Sequence, residues 1–513
     1  MKISLKIIFL SMAFLLLATG VVFAESDIFV FASAEPLTGN WDPSSHTILS
    51  QIGIENHIFD KLYSFPCGAD DPGKAIPALA IDYKYIDELT LEFKLRQDVK
   101  FHDGSDFDAE DVKATLDYYS DPNKPGFGWL PGALKTKVVD SYTVDIVTEK
   151  PLASLFYSLG LVPMLSKEDI DRDLISNHPN GTGPWVYDRQ TGETTIMKAN
   201  PNYWAGPPKL KEFRWIYVPN ASTRLFGLLG GDYDAVERVE AEHVPTIEKD
   251  PSAKISVAPS VENKWLIFRC QKPPFDNALV RKAISYAIDR EGIVSILGAS
   301  GAPVEAHIPP AKFGYASTPN NIKYNPKKAI ELLKEAGYAD ISKFPTIDYI
   351  TSTGFYPKTK EYAEYIAATL GEIGIKVNLK VLETSPWLES LYNPEAANMI
   401  DTGWCSGTPE PDQIIRTMFH QSIKRMTFFD DDEVSASLDK EQRETDMQKR
   451  YAILANETLP LLMEKVPALP LFNSVMIWGY NDRVKNFRGW PSNNFYLKDF
   501  EEPFGEMDVY KTE

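Results

Sequence analysis

Ser437-Leu-Asp-Lys440 has the Ser-x-x-Lys spacing in which an amine can activate a hydroxyl nucleophile. Its companion motifs Ser-Asp-Asn and Lys-Thr-Gly are absent, and so short a match is expected by chance in 513 residues. There is no His-Glu-x-x-His, Gly-x-Ser-x-Gly, P-loop or complete Gly-x-Gly-x-x-Gly. The seven histidines, at 46, 57, 102, 178, 243, 307 and 420, lack metal-ligand spacing. Cys67, Cys270 and Cys405 include no Cys-x-x-Cys, which excludes a zinc knuckle or a disulfide scaffold. One disulfide with a thiol left over remains open, as do three unpaired thiols. Asp430-Asp-Asp-Glu433 offers oxygen donors for calcium, but acids so placed also open helices, where they meet free N–H groups. Arg416 could hold a carboxylate through two parallel hydrogen bonds. No catalytic constellation emerges, and no enzyme, cofactor or metal centre is expected.

The elements that would position these groups alternate along the chain. Leu89, Leu91, Phe93 and Leu95 interleave with Thr90, Glu92 and Lys94, the period of a half-buried strand. Thr143 to Thr148 and Val377 to Val381 repeat it. Val280, Ala283, Ile284, Ala287 and Ile288 make one apolar helix face. Asn325-Pro326 supplies a cap and first-turn proline for a helix that Gly337 can stop. Strands and helices intermingle, so the fold class is α/β. Two proline-rich stretches, Gln271-Lys-Pro-Pro274 and Pro467-Ala-Leu-Pro470, read as paired crossovers bounding a lobe from about 272 to 472.

The chain is too long for one core, so two or three lobes are expected. Lys2 and Lys6, the apolar run Ile7 to Leu17 and the small residues around Phe23 form a secretory signal, with cleavage expected after Ala24. No cysteine stands near enough to carry a lipid anchor, so a periplasmic, soluble monomer is expected. Loss of the two lysines moves the net charge from −19 to −21, which argues against nucleic acid or an anionic membrane as partner.

Specific residues then carry a resemblance. Leu91-Glu-Phe-Lys-Leu-Arg-Gln-Asp-Val-Lys-Phe-His-Asp-Gly-Ser-Asp-Phe-Asp-Ala-Glu-Asp-Val112 resembles the signature of family 5 extracellular solute-binding proteins. Asp42-Pro43, Gly181-Thr-Gly-Pro-Trp185 and Asn200-Pro-Asn-Tyr-Trp204 follow the family's pattern. So do Pro274-Phe-Asp276, Val280-Arg-Lys-Ala283, Ala287-Ile-Asp-Arg290, Asn325-Pro-Lys-Lys-Ala329, Ala336-Gly-Tyr338 and Gly403-Trp-Cys405. The resemblance implies a two-lobed type II periplasmic-binding-protein fold with an extra subdomain in lobe I. Lobe I would comprise residues 25–58, 181–270 and 473–513, the extra subdomain 59–180, and lobe II 271–472. It further implies capture of a small ligand, most often a short peptide, and delivery to the membrane subunits of an ABC importer. An oligosaccharide or nickel-chelate ligand, or service to a chemoreceptor, stays open.

By that resemblance, Trp404, Cys405, Ser406 and Gly407 lie in a loop lining the ligand chamber. Relatives commonly show Gly-Trp-x-x-Asp there, the carboxylate pairing a peptide's α-amino group. Gly407 stands at the Asp position, and Glu410 or Asp412 could substitute. Glu35, Leu37, Asn40 and Trp41 stand where relatives contact ligand from lobe I; Trp41 could stack on a sugar ring or peptide group. Trp265, Phe127 and Trp129 are further candidates, and Arg416 could take a ligand carboxylate. His420 is about where nickel-chelate binders carry a histidine, and His102 belongs to the signature in a structural role.

Overall fold

A computed structural model describes residues 27–512 apart from 46–48, 65–74, 125, 127–129, 132–133, 354–355, 405–409, 424–425, 490–494 and 499–507. The signal sequence therefore lies outside the described residues.

Two strands organise the molecule. Ala253–Phe268 and Ala468–Asn481 run antiparallel through an eleven-stranded sheet and belong to both of its halves. On one side, Ala235–Val236 joins the second long strand, and Ile28–Ser33 and Glu212–Tyr217 continue the sheet in parallel. On the other, Met399–Trp404 pairs with the first long strand, followed by Ile347–Ser352 and Val377–Leu382, both parallel to it. The ladder between the long strands is interrupted between Pro259 and Asn263, opposite Asn473 to Val475. An interruption of this kind bends the strand and frees the extra residues from pairing. The boundary expected at 472/473 falls inside the second long strand, and the one expected at 270/271 lies two residues past the end of the first at Phe268.

The extra subdomain has its own antiparallel sheet, ordered Ala80–Tyr85, Thr90–Leu95, Thr143–Thr148, Leu134–Asp140. Leu91, Phe93 and Leu95 point into the core as their alternation dictates. The expected helices form as well. Ala278–Tyr286 buries Val280, Ala283 and Ile284, and Pro326–Glu335 is capped by Asn325, whose side chain accepts from Lys328 N. Asp431 caps Asp432–Arg443 by accepting from the Glu433 and Val434 amides, so this acidic run does open a helix.

The sequence landmarks meet at one junction. His102 Nε2 donates to the Gly183 carbonyl at 2.9 Å, and the His102 amide donates to the Gly181 carbonyl at 2.9 Å. Gly183 N donates to Ile58 O at 2.8 Å. Asp60 accepts from Thr182 Oγ1 (3.0 Å), Tyr203 Oη (3.2 Å) and Trp204 Nε1 (2.7 Å). Burial raises the Asp60 carboxyl to about 6 in spite of these donors. The motifs thus pin the extra subdomain to lobe I.

Two histidines are wholly buried as neutral rings. His57 Nδ1 donates to Gly53 O, and His307 Nε2 donates to Ala468 O, both at 2.9 Å, with His307 edge-on to Phe419. Burial lowers each to about 4. The unfolded chain takes up these protons first, so stability present above pH 6.5 is lost as pH falls toward 4. Asp60, raised to about 6, works in the opposite sense over most of that window. His307→Gln isolates one contribution. Its unfolding free energy should fall less steeply between pH 6 and 4.5, by about 1.4 kcal/mol per pH unit, in urea titrations.

Candidate functional site

The carboxyl ends of the parallel strands in both halves converge on the interrupted stretch of the long strands. Ile28–Ser33 runs on to Glu35, and Ala235–Val236 runs on to Glu237 and Arg238. From the other half, Met399–Trp404 ends with Trp404 opposite Asn263, and Ile347–Ser352 leads toward Tyr356. The long strands themselves contribute Glu262, Lys264, Asn473 and Ser474. In open α/β sheets, ligands bind beyond such strand ends.

Charge is concentrated here. Glu237, almost fully buried, accepts from Ser33 Oγ at 2.6 Å and Ala34 N at 2.7 Å, which anchors the first strand's exit. Arg238 is a non-glycine residue with φ 49, a left-handed conformation that costs a side-chain-bearing residue about 1–2 kcal/mol. Strain of this kind is retained where the surroundings over-determine it. The guanidinium is ion-paired with Glu35. Burial alone would lower its pKa, but the surrounding Glu237, Glu35 and Glu262 carboxylates outweigh burial and raise it.

Lys264, essentially buried, lies 3.1 Å from Glu262 Oε1 and over the Tyr356 ring. Ser474 Oγ donates to Glu262 Oε2 at 3.3 Å, and Tyr356 Oη donates to Gly403 O at 3.4 Å. A Cβ at Gly403 would press into both the Glu262 carboxylate and the Lys264 ammonium, so a side chain there would push this pair aside. Asn473 Nδ2 ties the interruption together through Ser260 O, Glu262 O and Asn263 Oδ1. The array presents charges of both signs, partly shielded from water, and can complement a zwitterionic or charged ligand.

Of the residues singled out by sequence, Glu35 and Trp404 belong to this array. Leu37 packs on the lobe I core, and Asn40 sits in the same loop, accepting from Asp42 N and donating to Ser45 Oγ. Trp41 is 6% exposed with its ring 4.9 Å from Tyr187, so its faces are largely covered. Trp265 is fully buried in the lobe II core and offers no face to a ligand, because alternation puts it on the sheet face opposite Lys264. Glu410 is also fully buried, held by Arg450 at 2.6 and 2.8 Å, and cannot replace a carboxylate at position 407. Asp412 is engaged by Arg416 and Gln442, and Arg416 also binds Asp439 and the Leu438 carbonyl. His420 faces Ser422 and Asp439. Phe127, Trp129, Cys405, Ser406 and Gly407 lie outside the described residues, as does Cys67. Cys270 is a free thiol that burial pushes up to about 11.

Sequence reasoning missed Arg238, Glu262, Lys264 and Tyr356. Two of them left a signal: Glu262 and Lys264 put opposite charges into an otherwise apolar run. Among the described residues, no group of three His, Cys, Asp or Glu side chains could hold a metal, and no helix is long and apolar enough to cross a membrane.

Residues 74–425, more than half of the chain, match the bacterial extracellular solute-binding proteins, family 5. The chain belongs to this family. The solute-binding protein is 28% identical over 464 residues to the glutathione-binding protein GsiB of Salmonella paratyphi A, covering 87% of this chain and 90% of that one. HbpA2 from Haemophilus parasuis has the same fold, with a TM-score of 0.81, 24% identity and coverage of 92% and 98%. The periplasmic binding protein DppA from Helicobacter pylori, in complex with the peptide STSA, gives a TM-score of 0.76 at 25% identity, covering 95% and 98%. The two-lobed type II architecture read from sequence is therefore that of the solute-binding protein, and its family is one of binding proteins rather than enzymes.

Proposed function

We propose that the protein captures a short peptide between its lobes and delivers it to the membrane subunits of an ABC importer. One observation carries the ligand class: charges of both signs, Arg238 and Lys264 beside Glu35, Glu237 and Glu262, gathered at the strand ends of both lobes. A peptide carries an ammonium and a carboxylate, and buried charges need such partners. The glutathione ligand of GsiB and the peptide held by DppA support the same reading.

In this account Glu35, Leu37, Asn40 and Arg238 meet the ligand from lobe I, while Trp404 and the loop through Gly407 meet it from lobe II. Lobe I takes residues 25–58, 181–270 and 473–513 with the extra subdomain 59–180, and lobe II takes 271–472. The lobes pivot on the interrupted stretch of the long strands, and ligand contacts to both favour the closed form. The protein works as a periplasmic monomer after cleavage behind Ala24.

Isothermal titration of the purified protein with glutathione and a short-peptide library, alongside neutral oligosaccharides, tests the class. Saturable peptide binding is expected, and binding of oligosaccharides alone would overturn it. Arg238→Ala should weaken the bound peptide about tenfold to a hundredfold, the worth of a charge-assisted hydrogen bond. An unchanged Kd would remove Arg238 from the site.

A further inference from the structure

The lobes also touch outside the long strands. In the extra subdomain, helix Ser154–Leu159 begins beside Ala153, whose backbone N–H donates to the Gln442 carbonyl of lobe II at 2.8 Å. One turn on, Tyr157 stacks on Phe313 of lobe II with ring centroids 5.9 Å apart. Its hydroxyl lies 3.9 Å from Met447 Sδ, and the Arg450 guanidinium lies 6.0 Å from its ring. Met447 is a half-buried lobe II residue that nonetheless packs on the lobe I core. The contact thus has a directional hydrogen bond, a stacked aromatic pair and a hydroxyl–sulfur contact, all between lobes that share only the long strands as covalent links.

We propose that this contact is a latch. It holds a fraction of the unliganded protein closed, and so sets ligand affinity through residues that need not touch the ligand. Every interaction in it is lost when the lobes part, so its free energy is entirely differential between the closed and open states. That is the condition for a contact to shift a conformational equilibrium. Arg450 couples the latch to lobe II, since the same guanidinium that faces Tyr157 is fixed by Glu410 and Glu441. The inference rests on the two-lobed binding reading but not on which ligand the cleft takes.

Ala153 already has φ −63, the value a proline ring imposes, so Ala153→Pro deletes the interlobe N–H while keeping the local backbone. Met447→Ala removes the sulfur contact at a half-exposed position. The test is single-molecule fluorescence transfer between dyes at positions 137 and 327, on full-length mature protein without ligand, with circular dichroism to verify folding. Wild type should show a resolved closed population. The closed-to-open ratio should fall about fivefold in Ala153→Pro, the worth of one backbone hydrogen bond, and about threefold in Met447→Ala. A wild type that is wholly open, or ratios unchanged in the folded variants, would overturn the latch. If Ala153→Pro disturbs its helix, Met447→Ala alone decides. A failed peptide titration leaves these ratios untouched, so the two readings fail separately.

Discussion

Replacing Arg450 with alanine is expected to cost about 3–5 kcal/mol of folding stability at pH 7. The guanidinium is completely buried and satisfies Glu410 through two bonds at 2.6 and 2.8 Å and Glu441 through one at 2.9 Å. Its removal strands the Glu410 and Glu441 carboxylates inside lobe II without their cation. Burial, with Asp412 nearby, already raises the Glu441 carboxyl well above its usual range, in spite of Arg450. A carboxyl whose folded pKa is raised loses stability as pH climbs above its unfolded value, near 4.3. The variant should therefore be least stable at neutral pH and recover part of the loss near pH 4. Urea unfolding at both pH values measures this. A loss under about 1 kcal/mol would mean that the pair is hydrated rather than buried. Replacing Arg450, Glu410 and Glu441 together with apolar residues should restore most of the stability, since no lone charge then remains.

The second large effect is at a glycine pair. Gly181→Ala would drive a Cβ well inside contact distance of the Ile58 carbonyl oxygen, and Gly183→Ala would place one 2.6 Å from it. The obstacle is the backbone at the end of helix Leu49–Ile58, which cannot rotate away as a side chain can. Overpacking usually costs 1–3 kcal/mol, and an immovable obstacle puts Gly181→Ala at about 3 kcal/mol or more. Thermal melts should show the extra subdomain releasing from lobe I first, since this junction joins them. A wild-type melting temperature would mean that the helix end can shift.

Gly181, Gly183 and Glu410 were singled out by sequence, but without the partners that decide their roles. Gly181 and Gly183 stood out within a motif, yet their requirement is a close approach to Ile58, more than a hundred positions away. Glu410 was a reasonable carboxylate to offer a ligand amine until Arg450, forty positions on, was seen to hold it. Trp265 and Lys264 are adjacent in sequence, and alternation along the strand sends one into the core and the other to the charged array. Only the register against Met399–Trp404 and Ala468–Asn481 decides which face is which.

By itself the sequence determined the class of elements, their caps and the family. Alternation at 91, 93 and 95, the Asn325-Pro326 cap and the acidic opening at Asp431 each depend on neighbours within a turn or a strand. The tertiary structure decided where the charges gather and what each one pairs with. Inside lobe II, Glu410 is held by Arg450 and Asp412 by Arg416, while Arg238 at one strand's exit pairs with Glu35, and Glu262 and Lys264 of a single long strand pair with each other. The physical reason is that a charge taken out of water must be partnered. That partner is chosen by the fold, across distances that sequence does not measure.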